Sequence, residues 1–251
     1  MKWSLDFCAT VLLAAFVNLA GSSVQEDDVA DIPSQDLRAG KDARKRYFLV
    51  GPMKHRKPPN PGFRLLVVLP GGPGSADFHP FVKRIYKYAV PEGYLVAQPV
   101  APDWIVWPTR KDLFSAETFI DAVIEDVSKR HKLDTEFVFT LSWSSSGPAA
   151  YAISLSSKKV TGSFIAMSVF KPDQLPPLET AKEHGYFLFH SPDDQVCPFA
   201  MAERAARDLK EHGAKVNLTT YRGKHGWQAG LYQSMRAGIG WLEENHSPLK
   251  R

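Results

Sequence analysis

Cysteine is scarce in this sequence. The 251 residues hold two, Cys8 and Cys197, without the cysteine–histidine spacing of a structural zinc site. No internal repeat is visible, so a repeat architecture is not indicated. No apolar run is long enough for a comfortable membrane span. Charge of one sign is lacking too: 31 Lys and Arg stand against 27 Asp and Glu, a net charge of +4. The basic stretches KDARKR (41–46) and KHRK (54–57) come with no nucleic-acid-binding module, and they read as solvated edge loops. No long insertion separates the apolar runs, so no lid domain is expected.

What is present is globular: 44% of the residues are hydrophobic and 23% charged, a composition and length that suit one large α/β domain. The first residues have the layout of a secretory signal. Lys2 opens it, Phe7 to Val17 is a short apolar run, and Ala20-Gly21-Ser22 offers the small residues of a cleavage site. The expectation is a signal peptide over 1–22 cleaved near Ser22, and an exported protein, periplasmic or secreted. No stable membrane insertion is expected after cleavage. Removal of the leader takes Cys8 with it and leaves Cys197, read as a small buried hydrophobe. Residues 23–43 are polar, acidic and aperiodic, and read as a flexible spacer. The domain is expected over 44–251.

Within it, apolar runs alternate with helical patterns. RYFLV (46–50) reads as an edge strand, with RLLVVLP (64–70), GYLVAQPV and EFVFTL (136–141) as further strands. Between and after these, FHPFVKRIYKYAV and residues 114–132 have helical spacing. SFIAMSV, YFLFH (186–190) and KVNLTTY read as strands. Helices are expected from about Pro148, over PFAMAERAARDLKEHG, and over the C-terminal WQAGLYQSMRAGIGWLEENH. Such alternation implies a mostly parallel sheet with helices on both faces. Ligands bind beyond the carboxyl ends of the strands of such sheets, so the segments just after the strands carry the functional reading.

After EFVFTL stands LSWSSSGPAA (141–150). A nucleophile on a tight strand-to-helix turn needs small residues two before and two after it. Ser145 has Trp143 two before, and Ser146 has Pro148 two after. Ser144 alone has small residues, Ser142 and Ser146, on both sides. A serine needs a histidine base oriented by a carboxylate. His212 sits at a helix end and His246 in the tail, whereas His225, in TYRGKHGW, follows the last strand. HSPDDQVCP, after YFLFH, offers Asp193 and Asp194, one expected to be the acid and the other a turn residue. An oxyanion hole needs preorganised N–H donors. The N–H of Ser145 is one candidate, and Gly72, in LPGGPGS (69–75), is the other.

These parts, in this order, resemble the α/β-hydrolases, and are most similar to the phospholipase/carboxylesterase group, which includes the acyl-protein thioesterases and small bacterial esterases. The resemblance covers roughly residues 44 to 245. LSWSSSGPAAYA stands for the group's L-G-x-S-x-G-G-x-x-A, HSPDDQVCP for its H-G-x-x-D-x-x-V-P, and YRGKHGW for its Y-x-G-x-H. Counted from His190, the resemblance puts the acid on Asp194. The sequence departs from the pattern where Ser142, Ser146 and Ser191 replace glycines and Pro70 replaces a histidine. The resemblance implies an α/β-hydrolase fold with no large lid domain, and a small-molecule ester substrate cleaved through Ser144, His225 and Asp194. It implies no metal and no cofactor.

Aromatic residues gather around the expected site. Trp107 and Trp227 are substrate-pocket candidates, while Trp104, Trp143, Phe78 and Phe81 read first as packing. The alternatives are a serine peptidase of the same fold and a non-catalytic binding protein on a hydrolase fold, the second motivated by the serine-for-glycine changes. Oligomeric state is not legible in the sequence.

Overall fold

The computed structural model describes residues 26–53, 58–101 and 115–246. The chain divides into two units, Met1–Asp31 and Ile32–Arg251. In the first, the described residues form a short 3-10 turn at Glu26–Val29. The expected signal peptide, Trp104, Trp107 and the KHRK stretch lie outside the described residues.

The second unit is built on an 8-stranded sheet of order β1-β2-β4-β3-β5-β6-β7-β8. The strands are β1 (Ser34–Arg38), β2 (Arg46–Val50), β3 (Phe63–Leu69), β4 (Tyr94–Pro99), β5 (Leu133–Trp143), β6 (Gly162–Ala166), β7 (Gly185–His190) and β8 (Lys215–Thr220). From β4 through β3 to β8 every neighbour pair is parallel. β1–β2 and β2–β4 are antiparallel. The central strands are covered on both faces, which is why they read as unbroken apolar runs: Leu65 to Leu69 are all 0% exposed.

Two expectations change at the N-terminal edge. RYFLV is not the edge strand, and 23–43 is not a flexible spacer throughout, because Ser34–Arg38 pairs with β2 in register from Ser34↔Val50 to Arg38↔Arg46. The signal in SQDLR is faint because only Leu37 is even half-buried. What holds this strand is the backbone ladder, an exposed Arg46–Asp36 ion pair at 2.8 Å and the single side chain of Leu37 against the core, not a continuous apolar face. KDARKR forms the hairpin connection, where Arg44 pairs with Asp42 at 2.8 Å.

Among the described residues, five α-helices accompany the sheet: α1 (His79–Arg84), α2 (Ala116–Arg130), α3 (Gly147–Ser156), α4 (Phe199–Glu211) and α5 (Leu231–Asn245). α1 continues as a π-helical turn, Ile85–Ala89. α2 presents Phe119, Ile120, Val123, Ile124 and Val127 at helical spacing. These share one apolar cluster with α3, α4 and inward side chains of the sheet, among them Leu65, Val67, Val138 and Leu188. α5 packs against β6, β7 and the turn after α1. It starts at Leu231 rather than near Trp227, because residues 221–230 remain loop.

The chain leaves β3 for β4 on one side and returns to β5 on the other. The strand order reverses at β3, and this is where a crevice opens at the carboxyl ends of such a sheet. The loops after β3 and β5 flank it.

Candidate active site

β5 ends at Trp143, a 3-10 turn spans Ser144–Ser146, and α3 begins at Gly147. The turn is sharp enough to force Ser144 to φ 56°, the left-handed region that costs a non-glycine residue roughly 1–3 kcal/mol. Its neighbours hold it there. Ser168, just after β6, donates its hydroxyl to the Ser144 carbonyl at 2.6 Å. Gly147 lets this happen, since a Cβ on it would collide with Ser168 Oγ.

Ser146, where the resemblance has glycine, does more than stay small. Its buried hydroxyl donates to the Leu69 carbonyl at 2.6 Å, with the Trp143 carbonyl at 3.0 Å as second acceptor. The same oxygen accepts from Trp143 N–H at 3.2 Å. One hydroxyl thus ties the turn to the end of β3. Ser142 is also fully buried.

Ser144 faces His225. Ser144 Oγ lies 3.0 Å from His225 Nε2, and His225 Nδ1 lies 2.8 Å from Asp194 Oδ2. Asp194 is buried. Burial by itself would raise its pKa, but hydrogen bonds from His190, His225 and the Cys197 N–H hold the carboxyl well below the usual carboxylate range. An ionised Asp194 can only accept, so the proton of His225 sits on Nδ1 and the Nε2 lone pair accepts from the Ser144 hydroxyl. Asp193 is exposed, and among the described residues only its N–H is engaged, by Ser191 Oγ at 3.1 Å. Of the two aspartates, therefore, Asp194 meets His225.

The Asp194 loop is itself braced. Asp194 Oδ1 accepts from Val196 N–H and Cys197 N–H, both at 2.8 Å. Buried His190 brings Nε2 to 2.8 Å from the Cys197 carbonyl and 3.2 Å from Asp194 Oδ2. A carbonyl only accepts, so Nε2 carries the proton and shares it between them. Ser191, another replaced glycine, donates to the Gly223 carbonyl, which joins the Asp194 loop to the His225 loop.

The two residues that carry the candidate oxyanion N–H groups also touch. Gly72 has φ 58°, a conformation glycine reaches freely, and its carbonyl accepts the Ser145 hydroxyl at 2.8 Å. The Ser145 side chain thus bridges the turn after β5 and the loop after β3. Gln98, fully buried at the end of β4, supports that loop by donating to the Ser75 carbonyl at 3.3 Å.

Rings wall one side. Trp143 is 6% exposed and makes edge contacts with Phe78 and Phe81, each at 5.6 Å, and with Trp227 at 5.8 Å. Half-buried Trp227 also stacks on Phe189 at 6.3 Å. Its indole N–H has no partner among the described residues.

Among the described residues, the metal-ligating atoms that gather are those of Asp194, Cys197 and His225, within 4.8 Å of one another. They suit a hydrogen-bond relay better than a metal. Asp194 Oδ2 and His225 Nδ1 are engaged with each other, and burial pushes the Cys197 thiol up to about 12, so it stays protonated. Cys197 is the small buried side chain the sequence suggested.

Sequence reading missed Ser168, His190 and the hydroxyl roles of Ser145, Ser146 and Ser191. His190 and Ser191 stand in the quoted HSPDDQVCP and carried a signal. Ser168 carried none, because its position depends on β6 lying beside β5.

No protein-family model matches the chain, and no curated protein sequence matches it. Solved structures do. A thermostable esterase is similar with a TM-score of 0.64 at 19% identity, over 87% of this chain and 64% of that one. A fungal esterase from Rhizomucor miehei is similar with a TM-score of 0.65 at 12% identity, over 85% of this chain and 84% of that one. The acylaminoacyl peptidase of Pyrococcus horikoshii gives 0.62 at 14% identity, over 88% of this chain. The chain thus spans less than two thirds of the first esterase and 43% of the peptidase. Identities this low speak to architecture alone: with the sheet order described above, they show that this chain has the α/β-hydrolase fold.

Proposed function

We propose that the protein is a serine hydrolase of carboxylic esters that works through an acyl-enzyme. The observation that carries this reading is the unbroken relay Ser144–His225–Asp194, with steps of 3.0 and 2.8 Å. Its three members stand after different strands of a sheet shared with esterases. In this reading Ser144 Oγ attacks the ester carbonyl as His225 Nε2 takes its proton. Asp194 stabilises the resulting imidazolium and keeps its orientation. The N–H groups of Gly72 and Ser145 receive the oxyanion, and His225 returns the proton to the leaving alcohol. Water then repeats the sequence on the acyl-enzyme. Ser144 also precedes the N-terminus of α3, whose dipole favours developing negative charge there.

Turnover of p-nitrophenyl acetate and butyrate by the wild type and by Ser144→Ala tests the assignment. Turnover is expected only in the wild type, with a fluorophosphonate label mapping to Ser144. Hydrolysis that survives the substitution refutes it.

A peptidase reading has one observation in its favour, the likeness to an acylaminoacyl peptidase. It ranks second because this chain spans only 43% of that protein. A peptide p-nitroanilide cleaved faster than any ester would reverse the order. Trp227 and Trp107 are proposed as substrate contacts. Export with cleavage near Ser22 is likewise proposed, and an N-terminus still at Met1 in exported material would contradict it. Among the described residues no helix is long and apolar enough to cross a membrane.

A further inference from the structure

We infer that the Ser145 hydroxyl is a positioning group for the oxyanion site, an inference that rests on the ester-hydrolase reading above. The residue after the nucleophile is usually invoked for its N–H alone, and nothing in that role requires a hydroxyl. Here the hydroxyl donates to the Gly72 carbonyl at 2.8 Å, so one residue offers an oxyanion N–H and holds the turn that offers the other.

The turn explains why such a hold matters. Gly71 to Gly74 is closed by Gly74 N–H on the Gly71 carbonyl at 3.1 Å. Its central peptide joins Gly72 to Pro73. Proline has no N–H, so the Gly72 carbonyl is the sole polar handle of that peptide. Gly72, at φ 58°, is of the residue type least able to hold one conformation unaided. The φ and ψ of Gly72 set the angle between its carbonyl and its own N–H, so a carbonyl left free lets the N–H swing out of line. The neighbouring parts are rigid by comparison. A Cβ on Gly71 would lie 2.6 Å from the Trp143 carbonyl, so that residue is pressed against the end of β5. The Gly74 carbonyl accepts from Ala101 N–H at 3.0 Å. The soft point of the loop is therefore Gly72 itself, and Ser145 Oγ holds its carbonyl.

Preorganised donors lower the barrier because they need not reorient as charge develops. Loss of the hydroxyl should therefore act on the transition state and spare substrate binding. The test uses the whole chain, with p-nitrophenyl butyrate as substrate, and compares the wild type, Ser145→Ala and Ser145→Thr. For Ser145→Ala, kcat is expected to fall about 10- to 100-fold, short of or equal to the loss of an entire donor, with KM within about threefold. An alkylboronic acid, which forms a tetrahedral adduct on the nucleophile, should lose affinity by the factor that kcat/KM loses. Ser145→Thr restores the hydroxyl and should return kcat to within about threefold of the wild type. Both variants should keep the fluorophosphonate label on Ser144 and melt with the wild type. Wild-type kcat in Ser145→Ala overturns the inference, as does a loss confined to KM or a Ser145→Thr variant as slow as Ser145→Ala. Failure of the underlying reading looks different: the wild type would then turn over no ester and take no label at Ser144.

Discussion

Ser146→Gly is a substitution for which resemblance and structure predict opposite signs. The esterase pattern has glycine at this position, so restoring it should help, or at least do no harm. The structure says otherwise. Ser146 has φ −86° and ψ −9°, ordinary right-handed backbone where glycine has no advantage and costs roughly 0.5–1 kcal/mol in chain entropy. Its hydroxyl is fully buried and bonded to the Leu69 carbonyl at 2.6 Å and the Trp143 N–H at 3.2 Å. Leaving such buried groups without partners costs about 1–3 kcal/mol. Together these give a loss of about 1.5–4 kcal/mol, which for a domain of this size lowers Tm by roughly 3–16 °C at about 2–4 °C per kcal/mol. Urea denaturation and thermal melting of the wild type, Ser146→Ala and Ser146→Gly measure it. Ser146→Ala isolates the hydroxyl, and the further drop to glycine should be about 0.5–1 kcal/mol. A Ser146→Gly protein as stable as the wild type, with equal or higher esterase activity, would refute the reasoning and reduce Ser146 to a mere small residue.

Further predictions concern charge. Asp194→Asn should lower kcat by about 10⁴-fold, because the amide would donate to His225 Nδ1 and drive the proton to Nε2, where it blocks acceptance from Ser144; steady-state kinetics with p-nitrophenyl butyrate check this. His184 is buried against Ser163 Oγ at 3.1 Å, and burial pushes its pKa from 6.5 down to about 3. Its folded pKa is depressed, so the unfolded chain takes the proton first, and stability is lost as pH falls from 6.5 toward about 3. At pH 5 that loss is about 2 kcal/mol, at 1.36 kcal/mol per unit. His184→Gln should flatten the pH dependence of unfolding free energy between about pH 6.5 and 4.5. An unchanged slope would show that another group carries the acid sensitivity.

Much of this molecule was legible in one dimension because its physics is periodic. Strands covered on both faces must be apolar throughout, so RLLVV and EFVF announced β3 and β5. Helix α2 declared itself through Phe119, Val123 and Val127 at one-turn spacing. Chemistry at strand ends could be read the same way: Ser144, Asp194 and His225 each follow a strand, and flanking-residue size singled out Ser144 from its neighbours. Exposed edges leave no such imprint. β1 is held mainly by backbone hydrogen bonds that any sequence can make, and SQDLR on its own reads as spacer.

What tertiary structure alone decided is how the loops are held to one another. Ser168 reaches the Ser144 carbonyl because β6 lies beside β5. Ser145 reaches Gly72, and Ser146 reaches Leu69, because β3 lies on the other side of β5. Ser191 reaches Gly223 because β7 and β8 are neighbours. In the sequence each is only a serine where a small residue fits, and a hydroxyl's direction has no periodic signature. Strand order sets which carbonyl each one meets. Size was readable residue by residue, while hydrogen bonding between distant segments exists only once the sheet has brought them within about 3 Å.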